Sequence, residues 1–270
     1  MSKLISTYVL FLLTISASSL WISCSKENSS APTAVASLNV VNTLSNSAPL
    51  ILVQGSISSA IGQFSDIIPL YYASTAALTL KSGSETFYAV QNNADTSSID
   101  GKGPDFMFNG VLNFKAGSLY SLFITGADTT TPDFLFVQDM LLVITDSSVG
   151  IRFVNLSAGS NPISINLEGN SNGSEVSNLA YKGISGFKKY VNNSTTGDYL
   201  FVVRDATTGD SLTQFDFLAN GSSNNGYGLT DPSNSPNNGH LLTFNNITIA
   251  IYGQQNNPNA PLTTMLVDNY

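Results

Sequence analysis

The chain has 270 residues, with 10 Lys and Arg against 18 Asp and Glu, for a formal net charge of −8. That sign excludes nucleic-acid binding, which needs a basic stripe to neutralise phosphates. A single cysteine and a single histidine exclude an internal disulfide and a histidine-rich metal site alike.

The chain opens "MSKLISTYVLFLLTISASSLWISC". Lys3 supplies a positive start, and Leu4 to Ile22 is apolar with scattered Ser and Thr, the make-up of a removed export signal. A spanning helix needs about 20 predominantly apolar residues. Only Tyr8 to Leu13 is that dense, because Thr14, Ser16, Ser18 and Ser19 interrupt the run beyond it. Trp21, Ile22, Ser23 and Cys24 resemble the bacterial lipoprotein signal, in which an apolar residue and two small or aliphatic ones precede the cysteine that receives lipid. The resemblance implies cleavage after residue 23 and a lipid-anchored protein of the outer membrane of a Gram-negative bacterium, on its periplasmic or cell-surface face. Two or more acyl chains on Cys24 would anchor it stably, since each buried methylene contributes about 0.8 kcal/mol. The alternative is an ordinary secretory signal, residues 1–23, with a chance cysteine behind it.

Residues 24–35 read as a flexible tether, in which Lys26 and Glu27 resemble the charged export tags of surface lipoproteins. Beyond it the chain repeats itself. "LNVVNTLSNSAPLIL" from Leu38 aligns without gaps with "IRFVNLSAGSNPISI" from Ile151, matching Val41 to Val154, Asn42 to Asn155, Ser47 to Ser160 and Pro49 to Pro162. Further on, Tyr72 and Leu78 match Tyr181 and Phe187. "LYSLFITG", ending at Gly126, matches "NITIAIYG", ending at Gly253, and Pro132 to Asp139 matches Pro261 to Asp268. The matches divide the chain into two units, 36–147 and 148–270. Each carries short runs rich in β-branched and aromatic residues between Gly, Asn and Pro turns, which predicts several strands per unit and a sandwich in each. In "ITIAIY", Ile247, Ile249 and Ile251 share one face, with Thr248, Ala250 and Tyr252 on the other. "DATTGDS", 205–211, is a turn with Gly209 at positive φ. Only 57–62, "ISSAIG", hints at a helical turn.

"IRFVNLSAGSNPISINLEG", the later Tyr181 and Phe187, and "GDYLFVV" are similar to the bacterial family called domain of unknown function 4397. The first unit departs from that pattern at Asn39, where Arg152 stands in the second, and at Leu44, where Ser157 stands. The resemblance implies an all-β fold of two tandem immunoglobulin-like antiparallel β-sandwich domains in a secreted protein or lipoprotein, with no established chemistry.

Candidate chemistry is sparse. A Ser–His–Asp triad would have to use His240, but no G-x-S-x-G motif is present, and a lone loop histidine reads as a solvated side chain. A pair of carboxylates could hydrolyse glycosides, yet Glu27, Glu85, Glu168 and Glu175 are the only glutamates, and most aspartates fall in turns. Asp95, Asp100 and Asp105 share a Gly-bearing loop, and Asp231 lies among amides. Oxygen-rich loops of this kind can hold calcium, though neither has EF-hand spacing. The Asn-rich insert Leu218 to Gly239, with Tyr227, reads as a disordered or ligand-contacting loop. The sequons at Asn193 and Asn246 are coincidental in a bacterial lipoprotein. The sequence thus assigns no catalytic residue, metal or cofactor, and one lipid-attachment residue, Cys24. It predicts a non-catalytic binding or scaffolding protein of the cell envelope, recognising a glycan or protein through loops, with avidity if both units engage one partner. The rival readings are an envelope glycan hydrolase and a purely structural spacer.

Overall fold

The computed structural model describes residues 34–55, 69–92, 105–191, 198–218 and 246–269. The predicted helical turn at 57–62 lies outside them. The fold belongs to the compact unit Val35–Tyr270. Among the described residues it is all-β, and no helix is long and apolar enough to cross a membrane.

The first seven strands are β1 (Val35–Asn42), β2 (Leu50–Gln54), β3 (Ser74–Lys81), β4 (Gly83–Gln91), β5 (Phe106–Phe114), β6 (Leu119–Gly126) and β7 (Pro132–Asp139). They form an inner sheet, β3-β1-β6-β7, and an outer sheet, β2-β4-β5. The next eight are β8 (Ser148–Asn155), β9 (Ile163–Leu167), β10 (Val176–Leu179), β11 (Lys188–Val191), β12 (Asp198–Asp205), β13 (Ser211–Leu218), β14 (Asn246–Tyr252) and β15 (Thr263–Asp268). Their inner sheet is β11-β8-β14-β15 and their outer sheet β10-β9-β12-β13. β1 starts at Val35 and β8 at Ser148, the 113-residue spacing of the aligned segments. The expected antiparallel sandwich holds with one exception per repeat. β1 pairs with β6, and β8 with β14, in parallel. The chain leaves the inner sheet after β1, runs through the outer sheet and returns, so these neighbours are joined by a crossover and not by a hairpin.

Each sandwich has its own core. Leu38, Val40, Leu122 and Ile124 meet Phe87, Phe108 and Phe114 in the first. Ile151, Phe153, Ile247, Ile249 and Ile251 meet Ile165, Phe201 and Phe215 in the second. The facing of β14 follows the sequence, with Ile247, Ile249 and Ile251 turned inward. The opposite face is buried too. Ala250 and Tyr252 join Val41, Phe123, Val154, Met265 and Val267 in a third apolar layer between the two inner sheets. The repeats are therefore packed face to face, and every residue of β8 and β14 is buried.

That packing is nearly two-fold symmetric. Asn39 Nδ2 donates to the Asp268 carbonyl at 3.0 Å, and Arg152 Nη2 donates to Asp139 Oδ1 at 2.5 Å. Asn39 aligns with Arg152 and Asp139 with Asp268, so one contact is the counterpart of the other, as in an isologous dimer interface.

The matched asparagines have one job. Asn42 and Asn155 end their strands and are fully buried. The Oδ1 of Asn42 accepts from Leu44 N at 3.1 Å, and that of Asn155 from Ser157 N at 3.0 Å. Their Nδ2 groups donate to the carbonyls of Leu70 and Leu179. A buried backbone group without a partner costs about 1–3 kcal/mol, so Asn155→Ala is expected to lower stability by roughly that much or more. Asn155→Asp keeps the Ser157 bond but cannot donate to Leu179 and falls short of wild type, and urea midpoints at constant slope check both.

Candidate functional site

β1, β6, β8 and β14 all start at one end of the unit and finish at the other. Thr125 Oγ1 donates to the Leu156 carbonyl at 2.9 Å, and Gln254 Nε2 to that of Ala127, which ties their far ends together. At this distal end lie the loops after β1, β6, β8, β12 and β14. The turn at 205–211 is one of them: Gly209 has φ +80°, and Asp205 accepts from the backbones of Thr207 and Thr208. Asn161 Nδ2 also donates to Asp205, and this hydrogen bond first, then that from Thr207, holds its carboxyl below the usual range.

Between the β12–β13 turn and the β14–β15 loop is an open cleft of about 470 Å³. Ser211 and Leu212 line it from the start of β13, and Gln254 to Pro258, Pro261 and Leu262 from the β14–β15 loop. The loop that frames it is braced by its own backbone. Gln254 N donates to Ala260 O at 2.8 Å, Asn257 Nδ2 to Gln254 Oε1 at 2.9 Å, and Asn259 N to Asn257 Oδ1 at 3.0 Å. Gly253 is required where the loop begins. Its φ is +89°, and a Cβ there would stand 2.2 Å from the Pro261 carbonyl oxygen. Gln255 and Asn256 make no side-chain hydrogen bond among the described residues, and Asn256 sits at φ +64° with its amide exposed. The corresponding loop of the first repeat, between Gly126 and Pro132, is two residues shorter than that between Gly253 and Pro261. It uses its polar groups internally, with Asp128 Oδ1 accepting from Thr130 N at 2.8 Å and Thr131 N at 3.2 Å. The free amides are a property of the second repeat.

The described acidic candidates occupy structural posts. Glu175 accepts from Lys188 Nζ at 2.6 Å and from Tyr190 Oη at 2.5 Å. Burial, the largest single influence, would raise its pKa, but these bonds, the Lys188 charge and Ser174 together hold it below the ordinary glutamate range. Glu168 lies exposed in the turn with Gly169. Glu85 is on β4, and Asp105 precedes β5, its carbonyl accepting from Gln91 N. Cys24, Glu27, Asp95, Asp100, Asn193, Tyr227, Asp231 and His240 fall outside the described residues. Asn246 is 3% exposed, and its amide both donates to the Leu142 carbonyl and accepts from Leu142 N. A Cβ on Gly150 would lie 2.6 Å from that Oδ1, so glycine clears the space for this clamp.

The sign of the Glu175 shift sets a pH dependence. A carboxyl with a lowered folded pKa contributes stability above its unfolded value, about 4.3, and loses it as pH falls through the folded value. Glu175→Gln is therefore expected to melt below wild type at pH 7, with the gap narrowing as pH falls below the unfolded value of about 4.3. Thermal melts across that range measure it.

Fold and site together define an all-β double sandwich with a polar cleft among the loops of one end. No family model matches the chain, and no curated protein matches it. Among solved structures, it is similar to a family 26 carbohydrate-binding module of Eubacterium rectale Amy13K in complex with maltoheptaose (10% identity, 87% of this chain and 97% of that one, TM-score 0.25). Others are a putative adhesin of Bacteroides ovatus (10%, 91% and 96%, 0.25) and the fimbrial anchor protein Mfa2 of Porphyromonas gingivalis (12%, 86% and 95%, 0.23). Likenesses of this size assign neither a family nor a ligand to the chain.

Proposed function

We propose that this chain is a lipid-anchored protein of the Gram-negative outer membrane that holds a neutral glycan at its distal loops without making or breaking bonds. In this reading residues 1–23 are the signal, Cys24 carries the lipid, 24–35 is the tether, and the repeats at 36–147 and 148–270 are members of the 4397 family. The observation that carries the binding function is the braced β14–β15 loop, which presents the Gln255 and Asn256 amides unused by the fold. An amide both donates and accepts, as does a sugar hydroxyl, so planar amides suit vicinal hydroxyl pairs. Leu212, Pro258 and Leu262 add apolar surface for the ring C–H groups, and among the described residues no charged one lines the cleft. A binding protein needs no more than these few placed polar groups on a rigid scaffold.

An array of neutral and anionic glycans tests this. Saturable binding to a neutral glycan is expected, weakened about tenfold in Gln255→Ala, the loss of roughly one hydrogen bond. Shortened glycan products on prolonged incubation would establish the hydrolase instead. The absence of any saturable glycan or envelope-protein ligand would leave the spacer reading.

A further inference from the structure

The end opposite the cleft has an apolar rim. Gly117 N donates to the Val35 carbonyl at 2.8 Å, Leu119 pairs with Asp139, and Val191 pairs with Ser148. Those contacts gather the start of β1, the end of β7, the start of β8 and the end of β11 at this proximal end. The β7–β8 connection, "MLLVITDS", crosses it, pinned at Leu142 by the Asn246 clamp. Pinning leaves Leu141 and Ile144 half-buried and turns Met140 and Val143 outward, 75% and 91% exposed. Val35 and Val191, 45% and 50% exposed, belong to the same end. Exposed Lys81 pairs across from Val35, and exposed Lys115 lies two residues before Gly117; neither makes an ion pair among the described residues. The fold does not use these apolar side chains.

We propose that this rim rests on the lipid surface, with Met140 and Val143 entering the boundary between headgroups and acyl chains and the cleft turned away from it. The proposal rests on lipidation of Cys24. Ten residues separate Cys24 from Val35, the first residue of β1, and the eleven steps between them span at most about 3.5 Å each in extended chain, roughly 40 Å in all. The tether therefore enters the unit at the rim and keeps it near the bilayer. Apolar side chains flanked by the two lysines, Lys81 and Lys115, suit that boundary, because the lysine stems lie along apolar surface while their ammonium groups meet anionic headgroups.

A single tryptophan reports the contact. Trp21 is the only one in the sequence, so a Trp21→Phe background makes Val143→Trp unique. Val111→Trp, on the outer sheet where Val111 is 62% exposed, is the control. The full chain, lipidated and reconstituted in phosphatidylethanolamine–phosphatidylglycerol vesicles, is first floated on a density gradient. In floated protein, Val143→Trp is expected to shift its emission to shorter wavelength and to be quenched by doxyl-labelled lipid, while Val111→Trp stays quenched by aqueous iodide alone. Floated protein whose Val143→Trp behaves like the control overturns the contact and leaves the anchor standing. A chain that neither floats nor takes lipid on Cys24 overturns the anchor and this proposal with it. A blue-shifted Val143→Trp in detergent-free solution without vesicles places a second copy on the rim and overturns lipid as its occupant.

Discussion

Arg152→Ala is expected to destabilise the protein by about 3–5 kcal/mol, the usual cost of leaving one member of a buried ion pair alone. The Arg152 and Asp139 side chains are 5% and 3% exposed. The guanidinium also donates through Nε to Thr248 Oγ1 at 2.7 Å and stacks over the Phe187 ring at 4.5 Å. Asp139 keeps Ser121 Oγ at 2.8 Å and Asn269 Nδ2 at 3.4 Å, both on Oδ2, so the loss of Arg152 strands Oδ1 and the charge together. Burial lowers the Arg152 pKa and Asp139 opposes that effect, so the cation depends on its partner. Arg152→Met combined with Asp139→Asn removes both charges and retains the hydrogen bonds to Ser121 and Asn269. The double variant is expected to recover most of what each single variant loses, and a urea double-mutant cycle measures the coupling.

Phe123→Ala is expected to cost about 3–5 kcal/mol, through lost burial and the cavity left behind. Phe123 is fully buried, yet it belongs to neither sandwich core; it fills the layer between the inner sheets. Its counterpart in the second repeat, Ala250, lies in the same layer, so the two inner sheets contribute side chains of very different size to it. If the repeats were independent beads, trimming this side chain would cost little, as Val111→Ala on the surface should, within about 0.5 kcal/mol. The packed arrangement also predicts one unfolding transition for both repeats, since neither inner sheet can expose its second face alone.

The strands, the 113-residue repeat, the Gly209 turn and the facing of β14 were legible because each depends on local pattern. The layer between the repeats was not. In β8, Ser148, Gly150 and Arg152 alternate with Val149, Ile151 and Phe153, which is the pattern of a strand with one wet face. A strand buried on both sides ordinarily reads as continuously apolar. Here the second face is lined by small and hydrogen-bonded residues, Gly150, Arg152, Asn246 and Thr248, whose partners lie on other strands and loops. The departure of Arg152 from Asn39 marked the place, but its meaning needed Asp139 beside it. The cleft amides were equally hidden: "GQQNNPNAPL" has the composition of any loop, and only the bracing by Gln254, Asn257 and Ala260 shows which amides are left over.

The central claim is that the two repeats form one rigid body that carries the cleft at one end. The most direct test is a pulsed electron–electron distance measurement between spin labels at Val111 and Thr207, on the outer sheet of one repeat and a distal turn of the other. Replacing Cys24, the only native cysteine, by Ser leaves no other thiol to label. A single narrow distance distribution is the result predicted, and it should broaden in Arg152→Ala. A broad distribution in the otherwise wild-type chain, as flexibly linked modules would give, would contradict it.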